Sequence, residues 1–431
     1  VGFSFSTPSS PRASTWAWYY SHQGKPTSLK RWMQRTIARE PVILDTSLSL
    51  SSAGLIDLYM ENKGHFGNRI QYSVRTRKKS ARVTFHVTPG TTYRIDSVRM
   101  TNPDPTLSHF IQPDLANSLL QPGSIYDVDV LDDERDRIVA QLKEYGYYAF
   151  VKEYITYRID STLSGNRMQV NMNIALPEGM PEHPRHRIRK VFIYPDFDPL
   201  HIPEGGWDTL IVAEKRFSID KPPGLYHFLY PGRLRIHPDA LLQGIFIEPG
   251  RMFALGSVQQ TYRRLSDLRL MRSVNIQFRQ LPGDKHSPMQ WMDSEIRLNR
   301  APTHAFTIET EGTNSAGDLG IAGNLVYENR NLFRNAETFS LRTKGALEVQ
   351  RLARDGEDEF LFFNTFETGA EASLRFPRFL LPIRLKQFPK LFEPVTHIDV
   401  GVNFRQRPAY RRLLTNLSFG YEWKESTNRR H

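Results

Sequence analysis

The feature that most constrains this chain is a series of segments after Thr303 in which apolar and polar residues alternate. In the segment FSLRTKGALEV, which starts at Phe339, apolar residues fall mostly on one parity and charged residues on the other. This period of two predicts a β-strand with one apolar and one polar face. Further segments follow the same pattern, and no helical pattern stands between them to cover the apolar faces. The chain must therefore bury those faces against something else.

Alternating segments of about ten residues joined by polar turns are typical of a membrane β-barrel, with apolar sides facing lipid and polar sides facing the lumen. The alternative is a soluble sandwich, in which the apolar faces of two sheets pack on each other. Charged residues on the polar parity suit both structures. The repetition of such segments favours the barrel. The other five segments cover residues 306–311, 319–328, 370–376, 398–405 and 413–423.

Composition excludes several classes of protein. Among the 431 residues, no run approaches the ~20 apolar residues that a transmembrane helix needs. There is no Cys, so disulfides, thiolate metal sites and a cysteine nucleophile are excluded. The net charge is +11, but the sequence from Ala301 onwards has 18 basic and 16 acidic residues, so most of the excess precedes it. Dispersed charge is typical of a solvated surface, and it also attracts anionic lipid head groups. We expect no nucleic-acid partner.

The first three hundred residues contain a repeating pattern. Two helical stretches, residues 55–66 and 137–150, place apolar residues on one face and then reach Gly64 and Gly146 as stop signals. Each is followed by two alternating strands. A third copy, around VQQTYRRLSDLRLM, lacks the glycine. The order strand–helix–helix–strand–strand thus recurs every ~80 to 120 residues. Three unrelated α+β domains are the alternative interpretation.

These signals predict four domains. Residues 1–90, 91–180 and 183–300 would be the three α+β repeats, and residues 301–431 the all-strand region. Linkers rich in Pro and Gly separate them. A linker is predicted at residues 176–186, an insertion within the third repeat at residues 221–233, and the step into the last region at residues 299–305.

The stretch of residues 311–350, EGTNSAGDLG to GALEVQ, resembles the start of the barrel in outer-membrane protein assembly proteins of the BamA/TamA type, and is most similar to the TamA-like lipoproteins of Bacteroidetes. The phrases PGTTYRI, LKEYGYYAF and PGSIYDVDVL resemble the POTRA repeats that precede such barrels. The resemblance implies POTRA domains in the periplasm and a transmembrane barrel in the bacterial outer membrane. Barrels of this family have sixteen strands, so with about six the barrel is expected to be truncated, without the family's arginine-containing lumen turn.

The resemblance also implies a function. POTRA domains would bind client chains by β-augmentation, and the barrel seam would template insertion of nascent outer-membrane proteins. Outer-membrane lipids and accessory assembly proteins would be the other partners. A translocation or secretion pore of the same superfamily, which includes surface antigens, is the main alternative. A periplasmic scaffold that acts through its POTRA domains alone is a third.

Candidate client-binding residues follow from the family's open strand edges. The first barrel strand, residues 304–312, is expected to pair weakly with the last strand and to open sideways. The second strand of each POTRA repeat, residues 69–76, 151–157 and 273–279, is expected at an open sheet edge. The candidates are His304, Phe306, Thr307, Ile308 and Thr310 in the barrel strand, and Ile70, Tyr72, Tyr154, Ile155, Val274 and Ile276 in the repeats.

No catalytic motif is present, and we expect neither enzymatic activity nor a cofactor. His183 and His186 could serve as metal ligands, but partners at ligand spacing are missing, so a metal site is not predicted. The acidic segment RDGEDEF, residues 354–360, could bind Ca²⁺ through carboxylate oxygens. A solvated hairpin loop is the favoured interpretation, because acidic residues are common in exposed turns.

Overall fold

The structure is a computed structural model. It divides into two compact units, Val1–Leu142 with Ala149–His183, and Lys143–Tyr148 with Pro184–His431. Among the residues it describes, no helix is long and apolar enough to cross a membrane. The described residues are 3–6, 17–18, 20–25, 27–37, 44–77, 80–200, 206–213, 224–282, 287–315, 318–349, 363–380, 392–426 and 429–430.

The first repeat begins the first unit, and its sheet has the order β1-β4-β3. Both strand pairs are antiparallel, which distinguishes this repeat from the two that follow. Helix α2 packs on β3. The elements are β1 (Phe3–Ser6), α1 (Ser28–Thr36), α2 (Thr46–Asn62), β2 (His65–Phe66), β3 (Arg69–Arg77), β4 (Ser80–Thr88) and β5 (Thr91–Thr92).

The second repeat has the predicted order strand–helix–helix–strand–strand. Its sheet order is β6-β8-β7, with β8 parallel to β6 and antiparallel to β7. Helix α4 buries Leu131, Ile138 and Leu142, spaced by seven and four residues on one face. Two 3₁₀ turns, Gln112–Asn117 and Lys152–Tyr154, complete the repeat. The other elements are β6 (Arg94–Thr101), α3 (Pro105–Ile111), α4 (Val128–Glu144), β7 (Ile155–Asp160) and β8 (Arg167–Ile174).

The third repeat, in the second unit, has the same order with a hairpin inserted after its first strand. The sheet order is β10-β11-β9-β13-β12, and β9 is parallel to both β11 and β13. The elements are β9 (Arg185–Tyr194), β10 (Asp208–Ala213), β11 (Leu225–Tyr230), α5 (Pro238–Leu242), α6 (Leu255–Asp267), β12 (Met271–Gln280) and β13 (Met289–Arg300).

The insertion predicted at residues 221–233 is more than a linker. Its described part contains β11, which extends the sheet, and the side chains of Tyr226 and Phe228 are fully buried in the core of the third repeat. These two aromatic residues share one parity, so they point to the same side of the strand. The hairpin therefore contributes to the hydrophobic core.

The last region is a six-stranded antiparallel sheet whose spatial order follows the sequence, β14 to β19. This confirms the prediction of consecutive strands, and the described residues of this region contain no α-helix. A short pair, β20 (Lys424–Ser426) and β21 (Arg429–Arg430), follows. The six strands are β14 (His304–Ser315), β15 (Asp318–Asn329), β16 (Thr338–Val349), β17 (Thr365–Phe376), β18 (Val395–Arg407) and β19 (Tyr410–Glu422).

The stop signals at Gly64 and Gly146 are confirmed. Helix α2 ends at Asn62 and α4 at Glu144, and the glycines two residues later have φ of +80° and +101°. Only glycine adopts such angles without strain. Gly64 also lies against backbone, because a Cβ there would be 2.4 Å from the carbonyl oxygen of Tyr126.

We expect Gly64→Ala to destabilise the first unit by about 2–4 kcal/mol, since it combines a positive φ with a backbone clash. Gly54→Ala is the matched control, because that glycine lies inside α2 with no atom within 4 Å of the added Cβ. It should stabilise α2 by up to about 1 kcal/mol. Amide hydrogen exchange of α2 measures both effects, and similar exchange in the two variants would contradict the assignment.

The last residues of the linker predicted at residues 176–186 belong to the folded repeats. Strand β9 already begins at Arg185, and His183 is buried. The backbone N–H of His183 donates to Asp104 Oδ2 at 2.8 Å, and its ring Nδ1 lies 3.2 Å from the same oxygen. Asp104 is also the N-cap of α3 and accepts the N–H groups of Thr106 and Leu107. One buried carboxylate thus anchors both α3 and the end of the linker.

Burial lowers the pKa of His183, and this outweighs the opposing attraction of Asp104. Burial alone would raise the pKa of Asp104, but the hydrogen bonds that it accepts from His183 and Thr106 hold it below its ordinary value. A pKa lowered by folding makes the protein less stable as the pH falls through the folded value. Protonation of either group therefore weakens the contact between Asp104 and His183 at low pH. As the pH falls, His183 is protonated before Asp104.

We expect protection of the His183 amide from hydrogen exchange to decrease as the pH falls from about 7 to 5. The free energy of the opening that exposes this amide should fall by at most ~1.4 kcal/mol per pH unit for each proton bound. The variant His183→Gln keeps a polar side chain and does not titrate, so its protection should vary less over this range. Equal pH dependence in the two proteins, after correction for intrinsic exchange, would contradict the assignment.

Candidate functional site

The six-stranded sheet has one apolar face that is largely exposed. Strand register places Ile308, Leu325 and Thr343 in one row across β14 to β16, and the row continues through Ala370 to Val402. The side chain of Ile308 is 79% exposed and that of Phe306 is 71% exposed. Other large exposed apolar side chains on this face are Leu319, Ile321, Leu325, Leu347, Phe366, Val400, Leu413, Leu417 and Phe419.

The opposite face of the same sheet is polar and internally paired. Glu367 accepts hydrogen bonds from Lys344 at 3.2 Å and from Asn403 at 3.0 Å. Arg405 donates to Glu348 at 3.0 Å and lies 3.6 Å from Glu367. Opposite charges on β16, β17 and β18 therefore lie next to each other across the strands. The predicted division into an apolar and a polar face is confirmed by this arrangement.

Strands β14 and β19 are the two edges of this sheet. The predicted candidates in β14 divide between the faces: His304, Phe306, Ile308 and Thr310 share the apolar face, and Thr307 lies on the polar one. His304 Nδ1 is 2.9 Å from the hydroxyl of Tyr327 on β15. The backbone groups of β14 that face away from β15 have no ladder partner among the described strands.

The second strand of each repeat also lies at a sheet edge, namely β3, β7 and β12. Ile70 and Tyr72 lie within β3, and Val274 and Ile276 lie within β12. Ile155 is the first residue of β7, and its side chain is buried. The side chain of Ile155 is therefore not accessible to a client, and pairing at this position would use the backbone.

The strand predicted at residues 151–157 is misplaced, and Tyr154 is not in a strand. Its N–H donates to the carbonyl of Val151 at 3.2 Å, which closes a 3₁₀ turn before β7 begins. Its ring packs 5.5 Å from Phe150 and 4.9 Å from His183. Packing around the buried histidine favours the turn over the extended form. Tyr154 is therefore a half-buried residue that packs against Phe150 and His183.

Hydrogen bonds at the strand ends show which backbone groups face the open edges. Leu281 N–H donates to Trp291 at 3.0 Å, and hydrogen-bonded pairs alternate along an antiparallel ladder. The N–H groups of Val274, Ile276 and Phe278 therefore point away from β13, towards the open side. By the same reasoning from the bond between Ala175 and Tyr154, Tyr157 offers its N–H at the edge of β7.

A cavity of about 220 Å³ lies beside the edge strand β12. Its wall combines apolar side chains with polar groups, which include an ion pair between Arg251 and Glu248 (3.0 Å). Phe278 is the residue of β12 that lines the cavity. It was not among the candidates predicted from the sequence, although it lies on the same side of β12 as Val274 and Ile276. The remaining lining residues are Ile188, Phe246, Ile247, Met252, Phe253, Ala254, Ser257 and Val258.

The two histidines considered as metal ligands each have a different structural role. His183 is bonded to Asp104, and His186 is buried in β9 with its ring 5.6 Å from that of Tyr148. Across the described residues, no group of three or more His, Asp or Glu side chains could hold a metal ion. The acidic segment at residues 354–360 lies outside the described residues.

Comparison with known proteins gives no match to a protein-family model and none to a curated protein. Among solved structures, BamA POTRA3-5 of Haemophilus influenzae is 14% identical, with a TM-score of 0.34. The match covers 68% of this chain and 92% of that chain. BamA of Haemophilus ducreyi lacking POTRA domains 1-3 is 12% identical, with TM-score 0.35, over 78% of this chain and 60% of that one.

CdiB from Acinetobacter baumannii is 10% identical, with a TM-score of 0.29. The match covers 90% of this chain and 69% of that chain. The overall likeness to each of these structures is low. The repeats are POTRA-like in their own element order, strand–helix–helix–strand–strand, and in their strand pairing, with the third strand at the centre.

Proposed function

We propose that this chain belongs to an outer-membrane protein assembly factor, in which POTRA-like repeats hold client segments and the edge of the six-stranded sheet receives a client strand. The observation that carries the proposal is the combination of open strand edges with a sheet that exposes one apolar face. The narrower relation to the TamA-like lipoproteins of Bacteroidetes rests on the sequence of residues 311–350 alone.

The apolar face of the sheet is proposed to contact the hydrocarbon of the outer membrane, with the repeats in the periplasm. Leaving a large apolar side chain in water instead of burying it costs about 1.5–3 kcal/mol, and this face carries many of them. A soluble protein rarely exposes such a continuous apolar surface. The paired charges on the other face suit water in a lumen.

Client binding is proposed to occur by addition of a strand to the open edges of the repeats. An extended chain can bond to the outward N–H and carbonyl groups of β12 whatever its side chains are, so binding tolerates many sequences. The cavity lined by Phe278 would accept an apolar side chain next to that edge. Nascent outer-membrane proteins, which are extended and rich in alternating apolar residues, fit this surface.

The variant Ile276→Pro tests the edge of β12, because it removes an N–H that points outward and leaves the ladder with β13 intact. We expect about tenfold weaker binding of an extended client peptide, from the loss of about one hydrogen bond and from steric hindrance. Ile276→Val keeps the N–H and should bind normally. Unchanged binding by a folded Ile276→Pro protein would exclude this edge as the client site.

A photocrosslinker at Ile308 tests the edge of the six-stranded sheet. Val402 is the matched control, because register places it in the same row and on the same face, but in the interior strand β18. We expect a nascent outer-membrane protein to crosslink at Ile308 and not at Val402.

The same experiment separates the alternative function. Crosslinks from the polar-face residue Asn403 without crosslinks from Ile308 would indicate passage through a lumen and would favour a secretion pore. Equal crosslinking from Ile308 and Val402 would show that contact with the apolar face is unspecific, which would contradict templating at the edge.

A further inference from the structure

The beginning of the chain has an unusual composition. The first acidic residue is Glu40, and the 39 residues before it contain six Lys or Arg and three of the six Trp. In the chain as a whole, 46 acidic residues nearly balance 57 basic ones. Basic side chains together with Trp, and without carboxylates, are typical of segments that lie on anionic membrane surfaces.

Helix α1 presents this composition on a defined surface. Thr27 caps it, accepting the N–H of Lys30 at 3.3 Å. Leu29, Trp32 and Met33 are spaced by three and four residues and so lie on one face. Met33 is buried, but Leu29 is 58% exposed and Trp32 is 52% exposed. The helix therefore buries one apolar side chain and leaves two large ones outside.

The basic side chains of α1 lie away from this apolar face. Arg31 and Arg35 are four residues apart and share the opposite side of the helix. Both are exposed, and neither forms an ion pair with an acidic residue that the structure describes. Lys30, in contrast, is held within the unit, with its Nζ near the carbonyl of Gln23 and 5.4 Å from the ring of Tyr20.

We propose that α1 is a membrane-surface helix, which inserts Leu29 and Trp32 into the interface of an anionic bilayer while Arg31 and Arg35 contact lipid phosphates. An amphipathic helix with a basic polar face and Trp and Leu on the other lies in the plane of the interface. An acidic protein partner would use the arginines but would not need the adjacent pair of exposed apolar side chains. This surface is separate from the strand edges and does not depend on client binding.

The absence of Cys allows a local test in the full 431-residue chain. A polarity-sensitive fluorophore is attached to a single Cys at Leu29→Cys or, on the polar side of the same helix, Gln34→Cys. Vesicles of phosphatidylcholine with phosphatidylglycerol should shift the Leu29 probe to the blue and raise its intensity several-fold. Pure phosphatidylcholine, or high salt, should give little change. The Gln34 probe should respond weakly, which separates insertion of α1 from attachment of the chain by other surfaces.

Removing the two charges tests the electrostatic part. In the Leu29 probe protein, Arg31→Gln with Arg35→Gln should raise the lipid concentration at half-maximal shift roughly 25-fold, about fivefold per charge. The matched control is Arg75→Gln with Arg82→Gln, two exposed arginines of the same unit that face each other on β3 and β4. It should change the midpoint little.

Three outcomes would overturn the proposal. One is an unchanged Leu29 probe on anionic vesicles, and another is an equal response to neutral vesicles. The third is the same blue shift with polyglutamate in the absence of lipid, which would assign the surface to an acidic protein. Client-peptide binding at β12 should be normal in every α1 variant, so failure here and failure of the edge hypothesis are distinguishable.

Discussion

A sheet that is apolar on one side and polar on the other is stable only if the apolar side is covered, and the other features of this chain follow from that requirement. Strands β14 to β19 pair in sequence order. Their registers place the apolar residues of neighbouring strands on the same side of the sheet and the polar residues on the other. A shift of one residue in any pairing would move charged side chains onto the apolar face. The ion pairs among Lys344, Glu367 and Arg405 favour the observed register from the other face.

The same backbone pairing makes the edges important. In hydrocarbon, an unpaired N–H or carbonyl group costs several kcal/mol, so an edge strand such as β14 needs a partner there. A partner that can be exchanged would make the edge a place where another chain forms its first hydrogen bonds. Water would solvate the edges of β3, β7 and β12 in the proposed periplasmic location, and those strands would then bind and release extended chains at lower cost.

The parts of the fold set by local rules were predictable from the sequence. Period-two alternation identified the six strands, and Gly64 and Gly146 marked the ends of α2 and α4 because left-handed φ values favour glycine. Parts set by tertiary packing were not predictable. The aromatic side chain of Tyr154 suits a strand, but packing around the buried His183 places it in a 3₁₀ turn. The Pro and Gly near β11 indicated an insertion within the third repeat, but not that its residues Tyr226 and Phe228 would be buried in the core on a strand of the sheet.

The central claim is that the apolar face of the six-stranded sheet contacts lipid. Single Cys residues carrying spin labels along β16, in the full chain reconstituted in bilayers, test it directly, because membrane-soluble oxygen and a water-soluble nickel chelate report opposite environments. The account predicts alternation with a period of two, with oxygen favoured at Phe339, Leu341 and Leu347 and the chelate favoured at Ser340, Arg342 and Lys344. Equal access of the chelate to both parities, or protection of both from each reagent as in a soluble sandwich, would contradict it.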